Sequence, residues 1–161
     1  MVEVTESIFS KISAGDLKKG NILVLRENGY TYVKVGDISK CKTGKHGSAK
    51  ALISGTNIKT TKGYEGTFSV SAGVEIAKPV KTMWIVMDID EDDDCIYVEP
   101  NVKGGSAEMD TLQGNQINRD DVEKIYREYR EMGSGDQLLI YTLMCPELIL
   151  IDDIRVVKDG K

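Results

Sequence analysis

Residues Cys41–Lys50 read CKTGKHGSAK. Three lysines, the single histidine of the chain and two glycines fall within these ten positions, and Lys40 stands just before them. Apolar, strand-forming runs lie on both sides: Ile38–Cys41 runs in and Ala49–Ser54 runs out. That arrangement predicts a β-hairpin whose tip holds Lys45 between Gly44 and Gly47. Glycines there remove side-chain bulk and permit unusual backbone angles, so a partner can close on the lysine.

Working outward, the same logic covers the first half of the chain. Asn21–Arg26 is β-rich, and Asn28-Gly29 after it is a hairpin signal. Tyr30–Val35 alternates in the period of a half-buried strand. Ile58–Thr61, Tyr64–Val70 and Val74–Ala77 read as further strands, divided by Lys62-Gly63 and Ala72-Gly73. No helical period intervenes. Short strands with glycine-rich turns predict a small all-β barrel or sandwich. Residues 1–14 read as a flexible leader, as chain ends commonly are.

Lys78-Pro79-Val80 marks a change of composition, and residues 79–81 are the expected linker. Residues 1–80 carry 12 Lys/Arg against 7 Asp/Glu, a net +5; residues 81–161 carry 9 against 19, a net −10. Such asymmetry predicts two domains with different partners. The basic half can approach phosphates, and the acidic half is repelled by them. In the second half, Thr82–Met87 and Cys95–Glu99 are strands around an acidic turn at Asp90–Asp94. Met109–Leu112 is a third strand. Asn118 is an N-cap, with Asp120 and Asp121 suited to the positive end of a helix dipole. Val122, Ile125, Tyr126 and Tyr129 form one apolar helical stripe, and Gly133 follows as the C′ residue. Gln137–Met144 and Leu148–Val157 are the last strands. Three strands, a helix and two strands are compatible with an OB barrel.

The chemistry that these residues exclude is informative. Gly44-Lys45 is followed by His46 and preceded five positions earlier by Ser39, so the spacing of a phosphate loop fails at both ends. His46 has no carboxylate near it in sequence, and nothing supports a catalytic triad. Cys41, Cys95 and Cys145 form no metal-binding pair and no disulfide framework, which suits a reducing, cytoplasmic setting. Asp88–Glu99 has neither the glycine nor the helical flanks of a calcium loop, and its acidic run reads as a solvated turn. No stretch reaches the roughly 18 uncharged apolar residues of a membrane span, and the first residues have no secretory-signal core. What remains is a compact cationic tip of Lys42, Lys45, His46 and Lys50: a solvated loop, or a contact with nucleic-acid phosphates.

Thr43-Gly44-Lys45-His46-Gly47, followed by Ala49-Lys50, resembles the modification loop of the translation initiation factor 5A family. Gly15-Asp16-Leu17-Lys18-Lys19-Gly20 is similar to the family's segment before its first long strand, and the order of halves matches over roughly residues 15–157. Ser48 stands where many eukaryotic members carry a second histidine and archaeal members often carry serine.

The resemblance implies a mainly β fold of two small barrels. An SH3-like barrel over residues 15–78 would carry the loop, and an OB-fold with one helix would occupy 82–158. It implies that Lys45 is converted to hypusine by deoxyhypusine synthase, using the aminobutyl group of spermidine, and then by deoxyhypusine hydroxylase. Lys42, Thr43, Gly44, His46, Gly47, Ser48 and Lys50 would be the modification-loop and RNA contacts. No other cofactor and no enzyme activity are implied. The partners would be the ribosome and peptidyl-tRNA, with the modified arm assisting elongation and termination, and self-pairing is left open. The alternatives are a general RNA-binding two-barrel protein and a self-assembling structural relative. The structural branch lacks the modifiable lysine that this chain has.

Overall fold

The computed structural model describes residues 4–42, 49–101 and 109–159. The chain divides into two units, Glu6–Lys78 and Pro79–Lys161 together with Met1–Thr5.

The first unit is one antiparallel sheet. Its strands are β1 (Phe9–Ser13), β2 (Ile22–Leu25), β3 (Thr31–Lys42), β4 (Ala49–Asn57), β5 (Gly63–Ser69) and β6 (Gly73–Ala77), in the spatial order β1-β6-β2-β3-β4-β5. Alternation along the strands sends Leu23, Val33, Val35, Ala51, Ile53 and Val74 into one core with Ala14 and Leu17. Burying side chains of this kind is worth about 1.5–3 kcal/mol each for the larger ones.

Three expectations need correction here. Residues 1–14 are not a loose leader throughout: β1 pairs with β6 from Phe9↔Ala77 to Ser13↔Gly73, and Ala14 is fully buried. A five-residue strand has too short a period to stand out, and its partner lies far along the chain. Ile58–Thr61 is a turn. The Asn57 side chain accepts hydrogen bonds from the backbone N–H of Lys59 (3.0 Å) and Thr60 (3.1 Å), and Thr61 adopts φ +63°. Asparagine ends the strand by satisfying backbone donors locally. Tyr30–Val35 and Ile38–Cys41 are one strand, continued through a bulge between Val35 and Asp37.

That bulge explains a glycine on the facing strand. A Cβ on Gly55 would lie 2.3 Å from the Lys34 carbonyl oxygen and 2.9 Å from Val33 Cγ1. Backbone cannot yield as a flexible side chain does. Gly55→Ala is therefore expected to destabilise the first unit by about 1–3 kcal/mol, the usual cost of overpacking, read as a lower denaturant midpoint.

The second unit is a five-stranded sheet with the one α-helix among the described residues. Strands β7 (Val80–Asp90), β8 (Cys95–Pro100), β9 (Asp110–Gln113), β10 (Gln137–Cys145) and β11 (Leu148–Val157) lie in the order β11-β10-β7-β8-β9, and α1 spans Arg119–Glu131. A parallel bridge between Ile117 and Ile149 joins the stretch after β9 to β11. This order, with a helix between the third and fourth strands, is that of an OB barrel. The linker expected at 79–81 is shorter, because Val80 and Lys81 already pair with Met144 and Leu143 of β10. Proline precedes the strand, where its missing N–H interrupts no ladder.

Trp84, Val86, Ile96, Val98, Leu112, Val122, Ile125, Leu138 and Ile140 fill the second core. The helix forms as its sequence predicts: the Asn118 side chain accepts from Asp120 N–H at 3.0 Å, and Val122, Ile125 and Tyr126 are buried. Its end differs in mechanism. Gly133 holds the C′ position without a left-handed φ; Met132 turns extended (φ −72°, ψ 151°), and Asp136 accepts from Gly133 N–H at 2.9 Å.

Candidate functional site

The arm formed by β3 and β4 positions the segment singled out above. Its last described pair is Lys42↔Ala49, preceded by Cys41↔Lys50 and Lys40↔Ala51. Pairing of β3 with β2 ends at Lys34, so Asp37–Lys42 pairs with β4 alone among the named strands. Ser39, Lys40, Cys41 and Lys42 are all exposed, whatever face they lie on. A strand exposed on both faces has left the core, and the arm projects from its sheet.

Strand alternation decides where the charges fall. Lys40 and Lys42 share one face with Ala49 and Ala51, while Lys50 shares the other with Cys41. The arm is thus cationic on both sides. Lys42 is exposed and Lys50 half-buried, and the structure brings both to the end of the arm. Thr43, Gly44, Lys45, His46, Gly47 and Ser48 lie outside the described residues.

Arg26, a further cation of this unit, is engaged elsewhere. Its guanidinium donates to both carboxylate oxygens of Glu75, each at 3.0 Å, and to Glu6, and stacks over the rings of Phe9 (5.3 Å) and Tyr30 (5.4 Å). The Tyr30 hydroxyl donates to Glu6, and this bond, then Arg26, holds the Glu6 carboxyl below its ordinary range. The cluster anchors the segment before β1; sequence reading missed it because its members come from four separate stretches.

The acidic turn is less solvated than its composition suggests. Asp94 sits at φ +54°, a conformation that aspartate tolerates. Its carboxylate accepts two hydrogen bonds from Arg119 (2.9 and 3.0 Å) and one from the Tyr126 hydroxyl (2.8 Å). Glu91 pairs with Arg130. A Cβ on Gly114 would lie 2.2 Å from the Asp94 carboxylate, so glycine makes room for it. The Arg119 hydrogen bonds hold the Asp94 carboxyl below its usual range, and burial with the bond to Asp94 pushes the Tyr126 phenol up.

Asp94 therefore stabilises the folded state above the ordinary carboxylate range, and that contribution is lost as pH falls through its lowered folded value. Asp94→Asn keeps the backbone preference and removes the charge. It is expected to cost about 1 kcal/mol at neutral pH, as befits a partly exposed pair, with a smaller penalty in acid. Denaturation midpoints of both proteins across acidic pH check this.

No group of three or more potential ligands is placed to hold a metal ion among the described residues. Cys145 is buried, which pushes its thiol up to about 11 and away from thiolate reactivity. No described helix is long and apolar enough to cross a membrane.

Residues 7–72, which span the projecting arm, match the family model for the N-terminal domain of translation initiation factor 5A-like proteins. The fold extends the likeness to both units: a translation initiation factor eif-5a family protein from Naegleria fowleri superposes with a TM-score of 0.71 at 27% identity, covering 92% of this chain and 99% of that one. Over residues 7–72 the chain is similar to the translation initiation factor 5A family. Eukaryotic translation initiation factor 5A of Dictyostelium discoideum is 33% identical over 72 residues, a match of 42% of this chain and only 45% of that relative. The factor from Methanococcus jannaschii shares the fold, with a TM-score of 0.60 at 20% identity over 96% of this chain and all of that one. Thr43–Gly47 lie within the matched segment.

Proposed function

We propose that this chain is a cytoplasmic translation factor that binds the ribosome beside the peptidyl-tRNA, and that Lys45, extended to hypusine, promotes peptide-bond formation at stalled sites and peptide release. The observation that carries this reading is the projecting, cationic β3–β4 arm in the segment that matches the family. A single lysine at the end of such an arm, lengthened by an aminobutyl group, gains a second cationic centre and greater reach. Both suit a narrow, phosphate-lined passage.

The expected contribution is positional. Holding a tRNA acceptor end in a reactive geometry lowers the entropic part of the barrier, while bond formation itself belongs to the ribosome. In this reading the chain is no enzyme. It is instead the substrate of deoxyhypusine synthase and deoxyhypusine hydroxylase. Lys42 and Lys50 flank the tip and would hold phosphates; Thr43, Gly44, His46, Gly47 and Ser48 would shape the loop around Lys45.

A reconstituted translation reaction on a message encoding a proline run tests this. Chain carrying modified Lys45 is expected to accelerate full-length synthesis, and unmodified chain is not. Equal acceleration by both would support a general RNA-binding role through the exposed lysines.

A further inference from the structure

The outer face of β3, β4 and β5 carries a groove of about 530 Å³ at the base of the arm. Register makes its floor regular. One row across the three strands is Asp37–Ser54–Glu65, and the next is Ser39–Leu52–Thr67. Strands spaced about 4.8 Å apart set the outer two carboxylate-bearing positions about 10 Å from one another. Leu52 is 43% exposed between two hydroxyl side chains.

Three features of this face stand out. Asp37 and Glu65 are exposed carboxylates in a half of the chain whose net charge is positive, yet among the described residues no ion pair reaches either. An exposed leucine lies in the row beside them. The groove also extends onto β5, the terminal strand of the sheet, which pairs with β4 alone among the named strands. Long cationic side chains match such a surface, because their alkyl stems cover apolar ground while their charged heads reach carboxylates.

We propose that this groove is a docking site for an extended, basic segment of a partner protein, lying over the groove floor with a lysine or arginine stem on Leu52 and its head on Asp37 or Glu65. Charge selects against the other common partner of this unit: carboxylates on the groove floor repel a nucleic-acid backbone, whereas the arm above them attracts it. The two faces of function are therefore separated along one hairpin, with phosphate-seeking cations at its end and cation-seeking carboxylates at its base. This inference does not require modification of Lys45, so it stands or falls separately from the proposed role in translation.

The test uses the full unmodified chain and a short synthetic peptide alternating lysine and valine. Amide chemical shifts are expected to change most over Gly63–Ser69 and at Asp37, Ser39, Leu52 and Ser54. The double variant Asp37→Asn, Glu65→Gln, at exposed positions, is expected to keep its amide spectrum and to bind the peptide about tenfold more weakly. Unchanged affinity in the variant would overturn the proposal. So would shifts confined to the acidic turn at Asp90–Asp94, equal binding of a glutamate-valine peptide, or an RNA oligonucleotide shifting the groove amides as strongly as the basic peptide does.

Discussion

Replacing Lys45 with arginine is expected to leave the fold unchanged and to abolish growth of a host that depends on this chain. The strands on either side of the tip pair with each other: β3 and β4 run continuously from Asp37↔Ser54 to Lys42↔Ala49. Arginine keeps the positive charge, so a solvated loop or a general phosphate contact would tolerate it. What arginine lacks is the primary amine that accepts an aminobutyl group. The two readings of the tip therefore predict opposite results from one conservative change. Thermal midpoints of both proteins should agree closely, and the growth defect should match that of a null strain. Normal growth would refute the role of Lys45. By contrast, Lys42→Ala or Lys50→Ala removes one charge from a multivalent surface and is expected to weaken ribosome affinity in a salt-dependent way without abolishing growth.

Trp84→Ala is expected to unfold the second unit and spare the first. Trp84 is 5% exposed, and its indole Nε1–H donates to Thr142 Oγ1 at 2.9 Å; that hydroxyl donates in turn to the Thr82 carbonyl at 3.0 Å. Removing the ring leaves a large cavity at a cost of about 3–5 kcal/mol. That is comparable with the whole stability of a small domain, about 5–15 kcal/mol. The core around Trp84 and the core around Leu23 and Val33 have no buried residue in common. Amide spectra should therefore lose dispersion for β7–β11 and α1 while β1–β6 keep theirs. Trp84→Phe restores most of the bulk and gives up the hydrogen bond to Thr142, so a smaller loss of about 1–2 kcal/mol is expected. Uniform collapse of both sets of signals in the alanine variant would contradict the separation of the two cores.

Much of this organisation was legible in residue order. Alternating Tyr30–Val35 and the two apolar runs around CKTGKHGSAK predict the long hairpin, because a half-buried strand imposes a period of two on its side chains. The helix was legible for the same reason: Asn118, two aspartates and an apolar stripe are local signals, and local signals survive in sequence. The features that were missed depend on partners far along the chain. β1 is a strand because β6 lies beside it, and the Arg26 cluster exists because Glu6, Phe9, Tyr30 and Glu75 meet around one guanidinium. Asp94 looked like one more solvated carboxylate, and only the fold brings Arg119 and Tyr126 to it. For the site, lysine spacing predicted a cationic tip, while strand register was needed to see Lys40 and Lys42 on one face and Lys50 on the other. The groove beneath the arm left no motif, since its two rows draw on three strands.

The measurement that bears most directly on the central claim is the mass of the Lys45-containing peptide, from protein purified out of its native host. Lys45 is expected to carry a hydroxylated aminobutyl extension, with Lys42 and Lys50 unaltered. An unmodified Lys45 in actively growing cells would contradict it.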